Sequence, residues 1–125
     1  MEFMIRQVNG ITILILSGNI DALQADELND LLLAEIDKTH TNIVIDCTNI
    51  EFLGSGAIRA LLISQRQCKK ANGKLYLCCL PDKTLKILDI SGFTKQFEIF
   101  DTFDEAEKMM QIEIKHKGLT RKNIP

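Results

Sequence analysis

Residues 43–68 constrain the fold more than any other stretch of the 125-residue chain. Ile43-Val44-Ile45-Asp46-Cys47 is a short apolar run of the kind a central strand needs. Thr48-Asn49-Ile50-Glu51-Phe52-Leu53 carries the chain to a tight turn, Gly54-Ser55-Gly56. Beyond it Ile58, Leu61 and Leu62 recur at helical spacing. The hydroxyl of Ser55 therefore sits where a helix begins, between two glycines that leave the backbone open to close approach. A helix N-terminus stabilises negative charge. On spacing alone Ser55 reads as a helix cap, and the same position is well suited to carry a phosphate.

The flanking segments extend the alternation. Phe3 to Val8 reads as a strand, Asn9-Gly10 as a two-residue hairpin turn and Ile11 to Leu16 as the antiparallel partner, with Ser17-Gly18 breaking the run. A first helix follows from about Ala22, with Leu28, Leu31, Leu32 and Ile36 on one stripe. Asp21 fits its cap, and Gln24 fits the third position of a capping box. The second helix runs from about Gly56 to a glycine stop at Asn72-Gly73. Leu75 to Leu80 is another buried strand, in which Cys78 and Cys79 would point to opposite faces. Pro81-Asp82 opens a short helix holding Leu85 and Leu88, closed by Ser91-Gly92. Phe97 to Phe100 alternates as a half-buried strand, and Thr102-Phe103-Asp104-Glu105 is a capping box for a last helix with Phe103, Ala106 and Met110 on one face. The order β-β-α-β-α-β-α-β-α predicts one α/β domain: a mixed sheet with an N-terminal antiparallel hairpin and about four helices packed on it.

Charge narrows the partners. The net charge is −2, and four cations without an acid fall in residues 115–125, so the body is acidic. An acidic body argues against nucleic-acid binding. Residues 1–114 read as the domain and 115–125 as a basic, flexible tail. No apolar run approaches the ~20 residues of a membrane helix. The N-terminus lacks the pattern of a signal peptide, so the expectation is a cytoplasmic protein. Cys47, Cys68, Cys78 and Cys79 have no C-x-x-C spacing and the histidines are His40 and His116 alone, which speaks against a zinc site and for reduced, mostly buried thiols.

Five segments, in order and spacing, resemble the STAS domain family, and more narrowly bacterial anti-sigma factor antagonists, over about residues 2–112. They are Ser17-Gly18-Asn19-Ile20-Asp21, the strand and loop Ile43 to Leu53, the turn Gly54-Ser55-Gly56-Ala57-Ile58, Ala71-Asn72-Gly73-Lys74-Leu75, and Leu88-Asp89-Ile90-Ser91-Gly92-Phe93. In the family a D-S-S-G-L motif falls on that turn, and its first serine, Ser55 here, is phosphorylated. The resemblance implies a partner that is both an anti-sigma factor and a serine kinase, bound by the unphosphorylated domain and released on phosphorylation, and a phosphatase acting on Ser55. It implies no cofactor. Gly54 stands for the family aspartate, Gly56 for the second serine and Ala57 for the glycine. The alternative within the same fold is a docking subunit of a signalling scaffold or transport complex that works without phosphorylation. Partner contacts are expected at Asp21, Gly54, Ser55, Gly56, Arg59, Gln65 and Arg66. Asp21 has three open readings: a helix cap, a charge repelling the phosphate, or a group helping to hold a kinase-bound metal.

Catalysis is the competing class. A serine on a strand-to-helix turn resembles a nucleophile elbow, but G-x-S-x-G would need glycines at Leu53 and Ala57. A serine nucleophile also needs a base. His40 precedes a strand whose far end carries Ser55, and His116 lies in the basic tail, so the chain is not expected to be an enzyme.

Overall fold

The computed structural model describes residues 1–36 and 40–122, with side chains as far as Lys117. Five strands form one sheet in sequential order: β1 (Glu2–Val8), β2 (Ile11–Ile20), β3 (Asn42–Leu53), β4 (Lys74–Cys78) and β5 (Glu98–Phe100). β1 runs antiparallel to β2, and every other pairing is parallel. The hairpin turns at Asn9 and Gly10, whose φ angles of 50° and 83° are those of a type I′ turn. Helices α1 (Ala22–Ile36), α2 (Ser55–Lys70) and α3 (Asp82–Ile90) connect the parallel strands, and α4 (Phe103–Lys122) follows the last one.

Strand alternation sorts the core into two layers. Ile43, Ile45 and Cys47 point into the larger one, with Leu28, Leu32 and Ile36 of α1, Ala57 and Leu61 of α2, and Leu88 of α3. Val44, Tyr76 and Cys78 point the other way, with Ile11 and Ile13, onto Ala106 and Met110 of α4. The apolar run at 43–45 is continuous because helices cover the sheet on both sides. Lys74 ties the second layer at its rim, reaching Glu98 at 3.4 Å and Glu113 at 3.5 Å.

The fold departs from the sequence reading in four places. First, β2 does not break at Ser17-Gly18, and β3 does not end near Cys47. Both run on, to Ile20 and Leu53, pairing with each other through register shifts between Ile15 and Ser17 and between Gly18 and Asn19. Gly18, at φ 89°, accommodates the irregular ladder. This extension outruns β4, so Thr48, Asn49, Glu51 and Phe52 are exposed and hydrophobic alternation fails as a strand signal. Second, β4 stops at Cys78, and Cys79 turns into the left-handed region at φ 63°. The two cysteines are not consecutive residues of one straight strand. Third, Asn72, not Gly73, takes the left-handed conformation after α2, at φ 64°. A β-carbon on Gly73 would lie 1.8 Å from the Thr41 carbonyl oxygen, so glycine is required there by close backbone approach. Fourth, α4 passes the expected boundary at residue 114 without a break and continues to Lys122. Lys117 Nζ donates to the Asn72 carbonyl, joining α4 to the turn before β4.

Gly73→Ala is therefore expected to cost more than about 2 kcal/mol, because backbone must move to make room, and denaturant unfolding measures it. A second outcome concerns alkali. Burial pushes the Cys68 thiol up to about 12. The native state then keeps a proton that the unfolded thiol gives up near its ordinary pKa of about 8.5. Stability is full below that pH and falls as pH rises towards 12, by about 1.4 kcal/mol per pH unit for this thiol. Cys68→Ala is expected to lower stability overall but to flatten the alkaline slope by that amount, as read from unfolding midpoints between neutral and alkaline pH.

Candidate functional site

Because β2 and β3 lie side by side and end together, they deliver two helix N-termini to the same place. Ile20 closes β2, Asp21 follows and α1 begins; Leu53 closes β3, Gly54 follows and α2 begins. The Gly54 N–H donates to the Ile20 carbonyl at 2.9 Å and holds the two turns together. A β-carbon on Gly54 would stand 3.3 Å from that carbonyl oxygen and 3.6 Å from the Asp21 Cα. The backbone conformation of Gly54, φ −78° and ψ 169°, suits any residue; the tight fit, not the dihedrals, favours glycine here.

Asp21 caps α1. Its Oδ1 accepts from the Leu23 N–H at 3.0 Å and the Gln24 N–H at 3.4 Å. The Gln24 amide is turned onto the Asp21 carboxylate, so the reciprocal half of the expected capping box is not formed. Ser55 is not a cap. Gly54 occupies the cap position of α2, where there is no side-chain cap bond, and its carbonyl accepts the first helical bond from Ile58 at 3.0 Å. Ser55 is the first full helical residue. Its side chain is exposed, and its hydroxyl has no hydrogen-bond partner among the described residues. The free N–H groups of the first turn of α2 lie beside it.

Small residues let α1 and α2 approach closely behind the site. A β-carbon on Gly56 would meet the Ala25 Cβ at 3.1 Å. Ala22, Ala25, Gly56 and Ala60 floor a shallow groove between the helices, edged by Asp26, Asn29, Arg59 and Ile63. Ser55, Arg59 and Arg66 fall on one line of α2 by helical spacing, and all three are exposed. Gln65 points elsewhere: its Nε2 donates to the Gln96 carbonyl at 2.7 Å and pins the 3₁₀ turn Phe93–Gln96 to α2. Two apolar side chains flank the site without having stood out in the sequence. Leu23 is 84 % exposed on the first turn of α1, and Phe52 is 49 % exposed beside Leu53. Leu23 is out of phase with the buried stripe of α1, which was the available signal.

His40 lies at the opposite end of β3, whose twelve residues span roughly 40 Å at about 3.3 Å each. No base described here reaches the Ser55 hydroxyl. The site can accept a group brought by another molecule, and it can be covered by one.

The architecture defines an α/β module whose conspicuous surface is the paired helix N-termini around Ser55. The STAS domain model matches residues 2–106, and the chain belongs to that family. It is 26% identical over 106 residues to BtrV of Bordetella bronchiseptica, a candidate anti-sigma factor antagonist, covering 85% of this chain and 91% of that one. Among solved structures it resembles the candidate anti-sigma factor antagonist TM1081 of Thermotoga maritima, with a TM-score of 0.82 at 17% identity, over 87% of this chain and 94% of that one. It also resembles the phosphorylated form of the Bacillus cell-fate determinant SpoIIAA, with a TM-score of 0.67 at 18% identity, over 86% and 98%.

Thermal or denaturant unfolding separates the two turns. Asp21→Ala is expected to cost about 0.5–2 kcal/mol, because it deletes the cap of α1. Ser55→Ala is expected to stay within about 0.5 kcal/mol of the native protein, because its hydroxyl holds nothing in the fold. Gly56→Val is expected to cost about 1–3 kcal/mol by forcing α1 from α2.

Proposed function

We propose that this chain is an anti-sigma factor antagonist, a protein-binding switch rather than an enzyme, with Ser55 as the regulated residue. The observation that carries the reading is the Ser55 hydroxyl: exposed, uncommitted to the fold, and on the first turn of a helix whose free N–H groups favour a phosphate. The names of the relatives and the fold shared with SpoIIAA support it.

In this reading the unphosphorylated site docks against an anti-sigma factor that is also a serine kinase. The kinase transfers the phosphoryl group of its nucleotide to Ser55 Oγ, the hydroxyl proton leaves, and the complex separates. A phosphatase restores the hydroxyl, in the cytoplasm. The phosphate adds about −1.5 to −2 charges. The helix end favours them by about 0.3–1 kcal/mol, so the fold barely responds. The cost falls on the partner, which would have to bury a new charge. Leu23, Phe52 and Arg59 lie around Ser55 as the contact surface, with the two apolar residues as anchors, and Arg66 extends the same face of α2 about three turns further along.

Gly54 and Gly56, which replace polar residues of the family motif, favour a second reading in which the same surface docks a scaffold or transport partner without phosphorylation. Intact-mass analysis of the protein from its native host, with and without phosphatase and with site mapping, decides between them. A single phosphate on Ser55 is the expected result; no phosphate under any growth condition moves the function to the unregulated docking module. With a partner in hand, Ser55→Asp is expected to bind at least ten-fold more weakly than Ser55→Ala, and equal affinities would sink the switch.

A further inference from the structure

We propose that Asp46, Cys78 and Cys79 form a binding site for a soft divalent cation of the zinc class, separate from the Ser55 surface. A carboxylate oxygen of Asp46 and the sulfur atoms of Cys78 and Cys79 all lie within 4.8 Å of one another. Among the described residues this is the one convergence of three metal-ligating side chains. Asp46 pairs with Cys78 across β3 and β4, on the face covered by α4. In a straight strand Cys79 would project to the other face. Its left-handed φ of 63° swings it back, and the Cys79 N–H is held there by the Phe100 carbonyl at 3.1 Å. A non-glycine residue in that region is strained, so the surrounding structure enforces it.

The carboxylate is already oriented. Asp46 Oδ1 accepts from the Thr48 N–H at 3.0 Å and from the Thr48 hydroxyl at 2.6 Å, which leaves Oδ2 for a ligand. Metal-ligating carboxylates are commonly held this way. Two sulfurs select zinc-class ions over calcium or magnesium, and tetrahedral zinc takes sulfur at about 2.3 Å and carboxylate oxygen at about 2.0–2.2 Å. Asp46 and Cys79 are each partly exposed, so an ion can enter and water can complete the fourth position. Cys47 takes no part: its side chain lies in the opposite core layer, where its Sγ donates to the Ile45 carbonyl at 3.6 Å. The absence of C-x-x-C spacing is no obstacle, because the ligands converge across two strands and one reversed residue instead of along one loop.

The full chain, kept reduced, is titrated with Cd2+ while sulfur-to-cadmium charge-transfer absorption is followed, with Zn2+ competing in a parallel series. The expected result is one ion per chain, displaced by Zn2+, with the absorption lost in Cys79→Ala and retained in Cys68→Ala. Asp46→Asn is expected to weaken binding by at least the 10–100-fold that even a supporting group contributes. Melting curves of the metal-free variants confirm folding; if Cys79→Ala does not fold, the affinity of Asp46→Asn decides. No saturable absorption in the native chain, unchanged absorption in folded Cys79→Ala, or unchanged affinity in Asp46→Asn overturns the site.

Discussion

Everything at the Ser55 end depends on β2 and β3 staying paired beyond the point where β4 stops. That extension ends in one bond, from the Gly54 N–H to the Ile20 carbonyl. Without it each turn would begin its helix independently. With it, Asp21 and Ser55 become neighbours at a fixed spacing, although they are separated by the whole of α1 and β3. The absence of a side chain at Gly54 belongs to the same constraint, since a β-carbon there would press on the carbonyl that accepts the bond.

The two helix starts solve their exposed N–H groups differently. α1 is capped by Asp21, whose carboxylate is committed to two N–H groups. α2 begins at a glycine and has no side-chain cap. A first turn left without a carboxylate is a place where an added anion gains more than it would at a capped turn. The family aspartate at position 54 would supply a cap of its own; its replacement by glycine leaves those donors open. The substitution that weakens the match to the motif therefore also leaves the helix end more receptive to a phosphate on Ser55.

The fold was legible in the sequence wherever burial followed a simple period. The apolar run at 43–45, the stripe through Leu28 and Leu32, the Asn9-Gly10 turn and the capping residue Thr102, whose hydroxyl accepts from the Glu105 N–H at 3.2 Å, all read correctly. Ser17-Gly18 and Thr48 to Phe52 misled because the extension buries Cys47, Ile50 and Leu53 at a spacing of three through an irregular ladder, so it has no two-residue alternation to display. Gly73 was seen as a helix stop, but its contact with Thr41 is a tertiary fact that helix-end rules do not contain. At the site, the placement of Asp21 beside Ser55 followed from topology. That Ser55 stands one residue inside the helix did not, because spacing locates helix ends only to within a residue or two. Gln65, expected on the exposed face of α2, instead donates to the Gln96 carbonyl, since helical spacing gives a residue's angle but not which neighbour fills it.

What holds the molecule together is separate from what it presents. The tight contacts are backbone and small residues: Gly54 on Ile20, Gly56 on Ala25, Gly73 on Thr41. None of them offers a functional group, and each fixes the distance between two elements. The side chains left facing outward at the shared end are those of Ser55, Leu23, Phe52 and Arg59. Charge added at Ser55 therefore meets a frame that is already rigid and a surface that is free to be recognised. On the proposed reading, such a switch would work by altering the fit to its partner and would need no second conformation of its own.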